Sequence, residues 1–260
     1  MLLLLLTALE LAVGFECEFS GQAGPNGALS SDIWYWPDHR VLFWFDQSVI
    51  QEDRKIIRQV MKEIERNTCI KFDETPRRRR KYLTINTETA YQCLLCSPLG
   101  LGCPTQNGGT VRSYPSMKLS FKLPFCGRLT KRFKALIIHE LFHVLGLIHT
   151  QNRVDRDRYI TINQWAIDRK SKYHYLQKCD RCQIFNLPYE CNSVMHYGTT
   201  DYATSRLLAF VNPTMTSRHP SCHLTSNGAD EPTGADWELV RRTQRCGIQS
   251  SLSKILQQAC

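Results

Sequence analysis

The stretch His139-Glu140-Leu141-Phe142-His143-Val144-Leu145-Gly146-Leu147-Ile148-His149 reads H-E-x-x-H-x-x-G-x-x-H. Residues four apart lie on one face of a helix about one turn from each other, so the imidazoles of His139 and His143 reach a common ion. Glu140 sits beside the first of them, within reach of a water that such an ion activates. Gly146 is free to take the positive φ that ends a helix, which lets the chain turn back and present His149 as a third ligand. Three imidazoles with an open fourth position describe a catalytic zinc site, because a structural site is closed by four protein ligands. The competing reading is an amphipathic core helix whose histidines are merely hydrogen-bonded. The glycine and third histidine at their required offsets argue against it.

The chain has 260 residues, 42% apolar and 22% charged, which describes a globular protein with a sizeable core. No apolar run approaches the length of a membrane span. Twelve cysteines are too many for a reduced cytosolic enzyme of this size, and they predict disulfides and secretion into an oxidising compartment. Residues 1–14, with the leucines at 2–6 and Ala12-Val13-Gly14, read as a signal peptide. The net charge of +9 favours acidic partners such as anionic glycans, and its sharpest cluster is Pro76-Arg77-Arg78-Arg79-Arg80-Lys81. That run also reads as a solvated loop. No aromatics interleave with it and no nucleic-acid motif is present, so nucleic acid is not expected. No glycosylation sequon free of proline occurs.

Residues 15–27 read as a short exposed segment, 28–248 as one domain in two lobes with the metal between them, and 249–260 as a tail. Within the domain, 41–45 is a continuous apolar run expected as a buried strand. Ser48-x-x-Gln51 predicts a capping box, and residues 53–68 an amphipathic helix with Ile57, Val60, Met61 and Ile64 inward. Alternation predicts strands at 82–85 and 117–121, flanking a loop at 93–109 dense in Cys, Gly and Pro. The metal-bearing helix is expected from Leu129 or Thr130 to about Leu145. A further helix is expected near 162–175, followed by mostly irregular chain.

Beyond the third histidine, Arg153-x-Asp155-Arg156-Asp157-x-Tyr159-Ile160 resembles the astacin family of zinc endopeptidases, within the metzincins. Ser193-Val194-Met195-His196-Tyr197 looks like that family's Met-turn, S-x-M-H-Y. Trp36-Pro37 resembles the start of the mature domain, Asn67-Thr68-Cys69-Ile70-Lys71-Phe72 the first disulfide region, and Gly234-Ala235-Asp236 through Cys246 the segment carrying its partner. The resemblance implies an α+β metzincin fold: an N-terminal lobe with a twisted, mostly parallel sheet and two long helices, and a largely irregular C-terminal lobe. It implies one zinc ion on His139, His143 and His149, with Glu140 as general base and then proton donor to the leaving amine. Tyr197 would be a further ligand that swings off to stabilise the oxyanion, and Met195 a hydrophobic floor. His196 is not a ligand in the motif. An extended polypeptide substrate would pair with an edge strand, for which 117–121 is the candidate. The resemblance suggests Cys69–Cys246, and Cys126 paired with one of Cys93, Cys96 or Cys103. Cys179, Cys182 and Cys191 are expected to pin the loop before the Met-turn, with a second zinc on Cys179 and Cys182 as the rival reading. The pairing of Cys17, Cys222 and Cys260 is not legible.

Three features depart from the family pattern. Thr150 stands where a glutamate normally follows the third histidine and contacts the buried N-terminus. Positions 2–39 contain no Lys or Arg for an activating cut, and Phe19-Ser20-Gly21-Gln22 has glutamine where prosegments place a zinc-binding aspartate. Together they predict that prosegment latency and N-terminal burial are reduced or missing. The expected protein is a secreted, monomeric zinc endopeptidase. Two other classes stand beside it: a catalytically inactive binding protein on the same zinc fold, and an anionic-glycan-binding matrix protein resting on the 77–81 cluster.

Overall fold

The computed structural model describes residues 36–76, 83–85, 104–105, 116–117, 131–176, 178–179, 182, 184–205 and 208–247. The expected signal peptide, the 15–27 segment, Phe19–Gln22, the tail at 249–260, the basic residues 77–81, the residues 118–121 and six cysteines (17, 93, 96, 103, 126 and 260) lie outside the described residues.

The chain enters at Trp36 and forms β1 (Arg40–Phe45), whose Val41, Phe43 and Phe45 point inward. Helix α1 (Gln51–Asn67) carries the chain back across the sheet, and β2 (Lys71–Glu74) returns parallel to β1 with Arg40 opposite Lys71. The third strand, β3 (Leu83–Ile85), lies parallel on the other side of β1, giving the order β2-β1-β3. Its three residues are all buried, as parallel strands covered on both faces are. The inward stripe of α1, Ile57, Val60, Met61 and Ile64, packs there, each side chain contributing about 1.5–3 kcal/mol by leaving water. Two short strands, β4 (Pro104–Thr105) and β5 (Ser116–Met117), pair antiparallel. Of the expected strand at 117–121, only Met117 lies among the described residues.

Helix α2 (Lys131–Val144) lays Ile137, Ile138, Leu141 and Phe142 into the same core and carries the first two histidines. The second lobe has little regular structure. It holds the antiparallel ladder of β6 (Ile160–Ile162) with β7 (Met215–Ser217), the one-turn helix α3 (Tyr173–Leu176) and a separate core around Ile160, Ile167, Tyr175, Tyr189, Tyr197 and Met215. The last helix, α4 (Gly234–Thr243), returns to the first core through Val240, with Trp237 edge-on against Phe142 at 5.2 Å. The architecture is the two-lobed α+β arrangement that the sequence implied.

Two local expectations fail. No helix spans 162–175: Ile160–Ile162 is a strand because its backbone pairs with β7, and Asp168 then caps a short 3₁₀ turn at Arg169–Ser171 by accepting from the Lys170 N–H at 3.0 Å. Long-range pairing thus overrides the local apolar spacing. There is also no capping box at Ser48, whose own N–H donates to Asp46 Oδ1 at 2.9 Å. Helix α1 starts instead after Ile50, with no side-chain cap. The capping box lies on α4, where Thr233 accepts from the Asp236 N–H and Asp236 from the Thr233 N–H.

Candidate active site

Helix α2 ends in a Schellman motif: Gly146 has φ 90°, its N–H donates to the His143 carbonyl, and the Leu147 N–H donates to the Phe142 carbonyl. The same turn orients His143, whose Nδ1 donates to the Leu147 carbonyl at 2.7 Å. His139 Nδ1 donates to the Val194 carbonyl at 2.7 Å. A carbonyl accepts only, so both Nδ1 atoms carry the proton and both Nε2 atoms are left unprotonated. The Nε2 atoms of His139, His143 and His149 form a triangle with sides of 3.1 Å.

That triangle suits a metal ion. Nitrogens at zinc bonding distance in a tetrahedral shell lie about 3.3 Å from one another. Among the described residues these three histidines are the one group of His, Cys, Asp or Glu arranged to hold an ion. Burial lowers His143 to a pKa of about 4, and burial with the neighbouring histidines holds His149 well below its ordinary value. Both imidazoles are therefore neutral at pH 7, the form in which histidine binds a metal. Glu140 is 4% exposed, its Oε2 has no hydrogen-bond partner, and burial pushes its carboxyl well above the usual range. A buried carboxyl with an unpartnered oxygen beside a candidate metal triad marks a functional-site candidate.

The residues after His149 tie the second lobe together. Arg153 makes a bidentate pair with Asp155 at 3.0 and 2.9 Å, donates to the carbonyls of Leu187 and Pro188, and lies over the Tyr189 ring. Buried Arg156 donates to the carbonyls of Gln151 and Tyr175, while Tyr159 stacks flat on Tyr189 with centroids 4.6 Å apart. Cys179 is joined to Cys182 and Cys191 to Cys222, so the rival of a second zinc on Cys179 and Cys182 does not hold. Cys69 is joined to Cys246 as the resemblance implied, whereas Cys126 lies outside the described residues.

The Met-turn is held from a distance. Asp236, on α4 and 3% exposed, accepts from Ser193 Oγ at 2.5 Å, from the Val194 N–H at 3.0 Å and from the Thr233 N–H at 2.9 Å. Ser193 Oγ accepts in turn from the Met195 N–H and from the Thr150 hydroxyl at 3.1 Å, and the Thr150 N–H donates to the Met195 carbonyl. Desolvation still raises the Asp236 carboxyl against these bonds. Val194, clamped by Asp236, is the residue that orients His139. Met195 is 1% exposed within the first core, and His196 is occupied by Tyr189 Oη at 2.9 Å and the Tyr197 carbonyl, which leaves it outside the triad. Tyr197 lies with its ring centroid 4.4 Å from that of His149.

Sequence reasoning missed the role of Asp236, although Thr233-x-x-Asp236 carries a helix-start signal that points to it. Replacing Asp236 by Ala leaves three donors, two of them buried, without an acceptor and is expected to lower stability by about 3 kcal/mol or more. Urea unfolding checks this, and a variant as stable as the parent would remove Asp236 as the anchor of the Met-turn.

A helix bearing two neutral imidazoles, a glycine turn delivering a third and a glutamate with an unpartnered buried oxygen together form a candidate mononuclear zinc site of the metzincin kind. A family model for astacin (peptidase family M12A) matches residues 29–243, and the chain belongs to that family. The family uses one catalytic zinc, and the triad fits it. The chain is 34% identical over 155 residues to the low choriolytic enzyme of Oryzias latipes, covering 60% of this chain and 49% of that protein. It is 32% identical over 162 residues to the dorsal-ventral patterning protein tolloid of Drosophila melanogaster, covering 62% of this chain and 13% of that one. With zinc metalloproteinase nas-32 of Caenorhabditis elegans it shares 24% over 207 residues, 72% of this chain and 28% of the relative. The chain thus spans less than half the length of these curated relatives. In fold it is similar to high choriolytic enzyme 1, a hatching enzyme zinc-protease from Oryzias latipes, with a TM-score of 0.61 at 22% identity over 82% of this chain and 94% of that one. It is also similar to myroilysin, with a TM-score of 0.54 at 15% identity over 84% and 97% of the two chains.

Proposed function

We propose that this chain is a secreted endopeptidase that hydrolyses peptide bonds in extended segments of extracellular proteins. The observation that carries the reading is the buried Glu140 carboxyl, whose Oε2 has no hydrogen-bond partner, beside three histidine Nε2 atoms converging on one point. His139, His143 and His149 would hold the zinc ion, which when bound polarises the scissile carbonyl and acidifies the attacking water. Glu140 takes the proton from that water and hands it to the leaving amine, a transfer favoured by a carboxylate whose basicity burial has raised. Tyr197, its phenol kept protonated by burial, serves as a hydrogen-bond donor to the oxyanion. The disulfides Cys69–Cys246, Cys179–Cys182 and Cys191–Cys222 support residence in an oxidising compartment. The Thr150 hydroxyl is already engaged by Ser193, which supports a Met-turn anchored without an N-terminal ammonium at this position.

Cleavage of gelatin or casein by the purified protein, with and without a chelator, tests the activity. Chelation is expected to abolish cleavage and lower the melting temperature, and added zinc to restore both, because an ion that binds only the folded state stabilises it. Cleavage that survives complete removal of the metal would refute the zinc mechanism. A zinc-loaded, folded protein that cleaves no substrate would favour the inactive binding protein instead.

A further inference from the structure

Among the described residues, the four most exposed large apolar side chains come from two segments that the backbone ties together. Trp165 is 89% exposed, and Val211, Phe210 and Leu208 are 82%, 73% and 60% exposed. Trp165 sits on the turn at 163–166, just after β6. The Ala166 carbonyl accepts from the Thr204 N–H at 2.8 Å, and the Asn163 side chain donates to Asn212 Oδ1 at 2.7 Å. Both ends of the excursion from 204 to 212 are therefore fastened to the turn that carries Trp165. Within it, the short 3₁₀ turn at Leu208–Phe210 buries Ala209 and so leaves its neighbours facing outward.

This apolar tip has a cationic flank. The Lys172 ammonium lies over the Trp165 ring, 5.5 Å from its centroid, and exposed Arg169 and Lys170 begin the 3₁₀ turn that leads to it. Residues 163–172 hold three cations and one carboxylate, Asp168, which is occupied in accepting from the Lys170 N–H and the Ser171 hydroxyl. Single exposed apolar residues are ordinary, but a group of them on joined segments marks an interaction surface. A groove for a folded partner half-buries the side chains that line it. These stand almost wholly in water, so they protrude, and a protruding tip suits a medium that yields around it. Tryptophan beside lysine and arginine is the combination that settles at a bilayer surface. The ring enters the headgroup boundary while the cations meet lipid phosphates and carboxylates.

We propose that Trp165 and the Leu208–Val211 tip form a docking surface for an anionic lipid bilayer. Among the described residues no helix is long and apolar enough to cross a membrane, so this attachment is peripheral. The tip is joined to the active site through backbone. The Asp168 N–H donates to the Tyr202 carbonyl and Ile167 pairs with Ala203, both a few residues beyond Tyr197. Docking therefore adds a location to the activity proposed above, favouring substrates at a membrane surface, without depending on that activity.

The test is sedimentation of the purified protein with phosphatidylcholine vesicles, with and without phosphatidylserine, a readout that needs no hydrolysis. Binding is expected to the anionic vesicles, weakening about fivefold for each of Arg169→Ser and Lys170→Ser. Trp165→Ser and Phe210→Ser should each weaken it about tenfold, because one ring no longer leaves water. Melting temperature should not change in either, since both rings are already in water in the free protein. Tryptophan emission should shift to the blue on binding, and Trp165→Phe should remove that shift. No binding to either vesicle would overturn the proposal. So would binding that survives both aromatic substitutions, which would assign it to net charge alone. Retention on immobilised polyglutamate, lost in the same variants of a protein that ignores vesicles, would assign the tip to an acidic polypeptide instead.

Discussion

Glu140→Gln is expected to lower peptide hydrolysis by about 10²- to 10⁴-fold while leaving fold and zinc content unchanged. The amide has the same shape as the carboxylate but no basic oxygen, so it cannot take a proton from water. Nothing else in the site replaces that function. The neighbouring imidazoles of His143 and His149 are held neutral by burial, and their Nε2 atoms lie 3.1 Å apart at the candidate metal site. The substitution costs the fold little. Glu140 Oε2 has no hydrogen-bond partner to lose, and burial already disfavours the charge. The apo variant should therefore melt at or above the temperature of the parent. Metal analysis, thermal unfolding and turnover of a quenched peptide read the three quantities separately. A folded, zinc-loaded variant keeping a tenth or more of the parent's rate would assign the general base elsewhere.

The largest expected effect on stability belongs to the disulfide that joins Cys69 to Cys246 across 177 residues. Substituting both cysteines by Ala releases a loop of almost the whole domain. Chain-entropy arithmetic for that length gives about 5 kcal/mol. For a domain of this size the loss corresponds to roughly 10–20 °C in melting temperature. The bond lies where it matters for the site. Cys69 follows α1, whose end is stopped by Thr68 donating to the Ile64 carbonyl, and Cys246 follows α4. The Cys69 N–H donates to Cys246 Sγ, and Arg241 donates to the Asn67 carbonyl. Helix α4 carries Asp236, so loosening its far end also loosens the Met-turn that orients His139. Activity of the double variant should therefore fail at a lower temperature than that of the parent, in step with unfolding. Calorimetry showing a loss below about 1 kcal/mol would mean that the packing of α4, through Trp237 and Val240, holds the lobe without the covalent link.

The catalytic constellation was legible because it is local. The spacing of His139 and His143 is a property of any helix, and a single glycine at 146 suffices to bring His149 back, so eleven residues encode the triad almost alone. The β1–α1–β2 unit was legible for the same reason: apolar periodicities of two and of 3.6 residues appear in windows shorter than the elements they specify. The capping box assigned to Ser48 failed because the pattern match ignored a competing acceptor, Asp46, two residues away.

What the chain could not disclose from its order of residues is whatever depends on distant partners. The helix expected near 162–175 yields to a strand because β7, more than fifty residues on, offers backbone hydrogen bonds that a local pattern does not register. Thr150, read in sequence as a lost contact, is in the fold a hydroxyl on Ser193, and Ser193 is tied to Asp236 some forty residues later. Tyr202 reads as an ordinary aromatic until the turn at Gly198–Tyr202 sets it against Tyr197 and His174. The sequence by itself pointed to the family and to the candidate metal ligands and base, because helix geometry and one glycine place those residues within three turns. Only the tertiary structure decided how those groups are held. Buried hydrogen bonds between residues far apart in the chain have no periodicity to read, and they form only once both lobes have packed.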